Sequence, residues 1–215
     1  MKYELTDETC RQHGRTLYRI CALRDIPRHG VQKGDLGGWV ESESILSQND
    51  DAWICGSARV YGNARIDGNA RIDGDAWIGG TTRIDGAARV GGAAWIDGDA
   101  WIGGDARVGG AARIYGDAWI DGNARIYGNA LIDGAACLLT ATIYTTQRLH
   151  ATAFRQQDGS WNVRVGCWAG SIAELRTLAE SDKWVETPPE DIEEARPELL
   201  AFVALCEARA ARLVA

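Results

Sequence analysis

From Ala52 to Ala135 the chain alternates apolar and polar positions in a phrase of six residues that never breaks. Each phrase reads small residue, Arg or Trp, aliphatic, then Asp, Gly or Tyr, a glycine, and one free position. Ile54, Val60, Ile66, Ile72, Ile78, Ile84, Val90, Ile96, Ile102, Val108, Ile114, Ile120, Ile126 and Ile132 share one phase. Such self-similarity at a fixed period is a solenoid signal and outranks local propensity. Side chains in a strand point alternately to opposite faces, so Ala64 and Ile66 face one way and Arg65 and Asp67 the other. The apolar pair must face inward, because one short strand cannot bury its own face without stacked neighbours. The reading is a four-residue strand, such as 64–67, followed by a two-residue corner, Gly68-Asn69, where positive φ is tolerated. Three strands and three corners close a coil of eighteen residues, and the next coil stacks about 4.8 Å above it.

The phrase Ile66-Asp67-Gly68-Asn69-Ala70-Arg71 resembles the repeat of the left-handed parallel β-helix family built from hexapeptides. Some fourteen consecutive phrases carry the likeness, over about two-fifths of the chain. The left-handed coil is what the resemblance implies; right-handed crossover is the ordinary rule.

The flanks predict the rest of the architecture. Residues 1–35 read as an N-terminal hairpin cap, with strands at Lys2–Leu5 and Thr16–Leu23 around a turn near His13-Gly14. Residues 36–140 form the β-helix of about five coils. Within its entry, Val40 and Leu46 lie six apart and two extra residues then reset the phase to Ile54. Residues 141–215 form a C-terminal α/β cap. There Thr142–Arg155 and Ser160–Cys167 alternate around Asp158-Gly159 as a hairpin. Ser171 with Glu174, and Thr187 with Pro188 and Glu190, read as capping-box helix starts. Leu199, Val203, Cys206, Ala210 and Leu213 form an apolar helical stripe. The flanks GRTLYRICALRDIPRHGVQKGDLGGWVESE and VRVGCWAGSIAELRTLAES resemble bacteriophage and prophage hexapeptide-repeat proteins often labelled putative transferase. That resemblance suggests a phage origin and transfers no site.

Composition narrows the function classes. The net charge of −7 disfavours nucleic acid as a partner. No apolar run nears the ~20 residues that span a bilayer, and the N-terminus has no signal-peptide core, so a cytoplasmic, membrane-free protein is expected. Six scattered cysteines without a CxxC pair read as free thiols, and no zinc-ligand spacing occurs. No metal and no cofactor are expected. The hexapeptide family includes acyltransferases and carbonic anhydrases, which need a histidine base or metal-binding histidines on the coils. Here His13, His29 and His150 all lie outside the regular repeats, so no catalytic residue is assigned and no enzyme is expected.

The period of eighteen lets the outer faces be written down. One face stacks Arg65, Arg83, Trp101 and Trp119, with Asp67, Asp85, Gly103 and Asp121 beside them; Arg65/Asp67 and Arg83/Asp85 are placed to form a charge lattice. A second stacks Arg59, Trp77, Trp95 and Arg113. Trp77, Trp95, Trp101 and Trp119 thus form a diagonal band around one edge and are the candidate homo-oligomer interface; cover by Arg59, Arg113 or the C-terminal segment, or a sugar ligand, is the alternative. The third face stacks Arg71, Arg89, Arg107 and Arg125 above Trp53. Beside them stand Asp73, Gly91, Gly109 and Tyr127; the two glycines leave a shallow floor, so this column is the candidate anion site, with neutralisation by Asp75, Asp105 and solvent ions, or by a carboxylate-bearing partner subunit, as the alternatives. The functional expectation is a non-catalytic, phage-derived binding or assembly protein, homo-oligomeric, with an anionic small molecule or a host protein as further partners. The rivals are an anti-defence sponge that sequesters a nucleotide on the arginine face, and a degenerate acyltransferase.

Overall fold

A computed structural model describes residues 1–134, 137–143, 149–181 and 189–213. The chain divides into two compact units, Met1–Asn129 and Ala130–Ala215.

The first unit is a parallel β-solenoid preceded by a hairpin. Strands β1 (Tyr3–Gln12) and β2 (Arg15–Ala22) pair antiparallel, and β2 pairs antiparallel with β3 (Leu36–Val40). From β4 (Trp53–Ile54) to β16 (Arg125–Ile126) each phrase contributes one short strand to one of three sheets and pairs parallel with its neighbouring rungs; one of these sheets also carries β1, β2 and β3. The expected four-residue strands are in fact two residues long, with three-residue strands at Arg113–Tyr115 and Leu131–Asp133. The turns take up the flanking positions, yet the ladder does not stop there. Arg65, Asp67, Asn69 and Arg71 donate in succession to the carbonyls of Thr82, Ile84, Gly86 and Ala88, at 2.6 to 3.0 Å. Hydrogen bonds therefore run on through the corners and satisfy the backbone all the way round the coil.

The inward phase is as the repeat requires. Every repeat aliphatic from Ile54 to Ile132 is buried, as is the alanine two residues before it. Thr82 stands where the other phrases have alanine; its hydroxyl is buried and finds no hydrogen-bond partner among the described residues.

The phase reset also has a physical use. Val40 pairs with Val60 and Leu46 bridges Ile66, twenty residues apart, whereas later rungs pair eighteen apart. The surplus loop holds the start of β1. Gln48 Oε1 accepts from the Lys2 and Tyr3 amides at 2.6 and 3.3 Å, and Gln48 Nε2 donates to the Tyr3 carbonyl at 3.0 Å. Lys2 Nζ, fully buried, donates to the Ala52 carbonyl at 2.7 Å and pairs with Asp50 at 3.3 Å. Burial lowers the Lys2 pKa, with Asp50 opposing that shift. Tyr3 Oη donates towards the Glu43 and Leu46 carbonyls, both at 2.9 Å.

β1 is longer than the sequence suggests, because 6–12 is mostly polar and lacks alternation. Its turn is where expected: His13 (φ 48°) and Gly14 (φ 76°) make the two-residue connection with left-handed backbone that favours tight hairpins.

In the second unit β17 (Leu131–Asp133) precedes an antiparallel meander of β18 (Leu138–Ile143), β19 (Leu149–Arg155), β20 (Trp161–Val165) and β21 (Trp168–Gly170). The expected strand Thr142–Arg155 is therefore two strands, with 144–148 outside the described residues. The β19–β20 turn carries Gly159 at φ 85°, as Asp158-Gly159 implies. Helix α1 (Ile172–Glu180) starts at the Ser171/Glu174 capping box, with both reciprocal bonds formed. Helix α2 spans Pro189–Arg212; the expected start at Thr187 and Pro188 lies outside the described residues. Leu199, Val203 and Cys206 are buried in this unit's core, with Ala210 and Leu213 packed against it. None of the six cysteines is in a disulfide. No helix among the described residues is long and apolar enough to cross a membrane.

Candidate functional site

The three outer columns form in the expected register. Trp95 pairs with Trp77 below and Arg113 above, and Arg59 lies under Trp77. Trp101 pairs with Arg83 and Trp119, with Arg65 at the foot of that column. Arg71, Arg89, Arg107 and Arg125 stack above Trp53.

The four tryptophans are not equivalent. The tip of the hairpin lies on the outer face of the solenoid, a placement the sequence did not reveal. His13 packs edge-on to Trp77 with centroids 5.1 Å apart and stacks near Trp95 at 6.5 Å. Arg15 anchors the tip by donating to both oxygens of Glu41 at 2.9 and 2.8 Å, and its guanidinium lies 5.4 Å from the Tyr61 ring centroid. Arg59 covers Trp77 from the other side at 5.2 Å. The cover over Trp77 thus comes from Arg59 and the N-terminal hairpin. Trp95 keeps 39% of its surface exposed and its indole N–H bonds the Tyr61 hydroxyl. Burial is the main cause that raises the Tyr61 pKa, and that indole bond opposes it.

Round the corner, Trp101 and Trp119 meet edge-to-face with centroids 4.2 Å apart at 75°. Trp101 Nε1 donates to Asp85 Oδ2 at 2.8 Å, while Trp119 is 60% exposed. The pair lines a groove of about 530 Å³ with Arg83, Asp85, Asp99 and Asp117. The Arg65/Asp67 and Arg83/Asp85 lattice does not form: neither pair makes an ion pair among the described residues, and Asp85 instead accepts from the tryptophan one rung up. Thr81 donates to Asp99 across the corner column. The carboxylates leave this side negative, and Asp67 shows it: its pKa is raised first by burial and then by Asp85 and Asp50.

The arginine column is less open than its glycines imply. At Gly91 the space a side chain would occupy is taken by the Asp73 carboxylate, and at Gly109 by the Tyr127 ring, 3.0 Å from where a Cβ would stand. The shallow floor is therefore filled from neighbouring rungs. Arg71 is tied down, with Nε on Asp73 at 3.2 Å and Nη1 on the His29 carbonyl at 3.1 Å. The Arg89 and Arg107 side chains are exposed and make no hydrogen bond or ion pair among the described residues, although both backbone amides join the ladder.

Of the three histidines, His13 packs its ring against the indoles of Trp77 and Trp95. His29 lies beside Arg71; burial first, then Arg71 and Arg28, lower its pKa. His150 sits in β19. Among the described residues no three His, Cys, Asp or Glu side chains gather as a metal site. The second unit has a groove of about 640 Å³ lined by Trp168, Ala173, Thr177 and Leu178, where Glu174 is already committed to the capping box. No protein-family model matches this chain, and no curated protein sequence is similar to it.

Proposed function

We propose that this protein is a non-catalytic binding and assembly scaffold of the left-handed hexapeptide class, phage-derived and homo-oligomeric, whose contact surface is the tryptophan edge. The observation that carries the reading is the exposure of Trp95 and Trp119 on either side of one corner, while the repeat aliphatics are all buried. An indole covers ~150–250 Å², so two of them beside Trp101 form an apolar strip of the kind that marks interaction sites. The His13 ring is engaged with the indoles of Trp77 and Trp95, which suits a packing role better than that of a base.

The experiment is light scattering on the wild type and on Trp95→Ser combined with Trp119→Ser. The wild type is expected to be an oligomer at tens of micromolar and the double variant a monomer that keeps the wild-type circular-dichroism spectrum, since the repeat core lies on the other face of both strands. A wild-type monomer overturns the reading.

A further inference from the structure

We infer that the Trp101–Trp119 groove receives the arginine column of a second copy, so that assembly is head-to-tail between two different faces. The inference rests on the assembly reading above and names the partner surface. Three carboxylates, Asp85, Asp99 and Asp117, face a single guanidinium, Arg83, around the two indoles. That combination suits a cation with a flat, delocalised charge: guanidinium stacks on an indole face and ends on a carboxylate through two N–H bonds. A neutral sugar would make no use of the surplus charge.

The same molecule carries such cations, in the right number and at the right spacing. Arg89 and Arg107 occupy successive rungs of one column, directly paired across the ladder. Trp101 and Trp119, and likewise Asp99 and Asp117, occupy successive rungs of theirs. Both ladders advance by one coil, about 4.8 Å, so two arginines register with two Trp/Asp pairs without any adjustment. The Arg89 and Arg107 side chains lack partners among the described residues, and Asp117 and Asp99, the latter with one hydrogen bond from Thr81, are exposed. Stacked like charges at that pitch repel on each copy alone, and the contact relieves both columns together. Because the two patches lie on different sheets, each copy in the contact still presents one free groove or one free column, which gives rings if the rotation closes and fibres if not.

A mixing experiment distinguishes this from an isologous tryptophan contact. One variant, Arg89→Ala with Arg107→Ala, keeps the groove; the other, Asp99→Lys with Asp117→Lys, keeps the arginines. All four side chains are exposed, so circular-dichroism melts should match the wild type. Each variant alone is expected to be monomeric by sedimentation at tens of micromolar. Mixed in equal amounts they should form a heterodimer and nothing larger, and raised salt should weaken it. If the arginine variant associates like the wild type, or if the mixture stays monomeric, the head-to-tail contact is overturned while the tryptophan reading stands. A monomeric wild type removes both.

Discussion

Replacing Ile96 by aspartate is expected to unfold the solenoid around its middle coils. Ile96 is fully buried and pairs with Ile78 below and Ile114 above, so its side chain fills the axis between stacked neighbours. Truncation alone, Ile96→Ala, is expected to cost about 2–5 kcal/mol through lost burial and the cavity left behind. Aspartate adds the cost of an unpaired charge where no donor is available, and that exceeds the alanine loss. A typical domain has only about 5–15 kcal/mol in hand, so the aspartate variant should be largely unfolded at room temperature. Urea denaturation of both variants checks the order. An Ile96→Asp protein as stable as the wild type would mean that the inward phase is wrongly assigned.

The second large effect is expected at a corner. Gly92 has φ 65°, and a Cβ there would lie 2.7 Å from the Gly110 carbonyl oxygen and 2.8 Å from its nitrogen. Gly122 has nearly the same backbone, φ 67°, with nothing within 4 Å of a Cβ. Gly122→Ala should therefore lose only the left-handed backbone penalty, about 1–2 kcal/mol. Gly92→Ala should lose that and more, because backbone on the next rung cannot move aside. The difference between the two denaturation midpoints measures how tightly the corners stack; equal losses would show that conformation, not contact, selects glycine there.

Much of this was legible because one period governs so many residues. The inward phase, the three columns from Arg59, Arg65 and Trp53, and the altered spacing between Val40 and Val60 all follow from counting residues. Local chemistry was equally readable at Ser171 and Glu174, where a spacing of three fixes both bonds. What escaped was contact between rungs and across the fold. The alternation that marks a strand is missing from 6–12, so β1 was read short, and nothing local could place His13 on Trp77. Likewise counting by eighteen puts Asp73 and Tyr127 in one column with Gly91 and Gly109, but only the fold shows their side chains lying over the glycines. Asp85 looks like a partner for Arg83, yet the indole N–H of Trp101 captures it, since that donor would otherwise go unmatched.

That the tryptophan edge exists to join copies is tested most directly by native mass spectrometry of the 215-residue chain taken from cells with no ligand added. Stoichiometry and any retained small molecule are then read together. The expected spectrum is a whole-number multiple of the chain mass with no bound molecule, collapsing to the single chain mass when Trp95 and Trp119 are serine. A wild-type spectrum at the single chain mass, bare or carrying a retained anion, would contradict it.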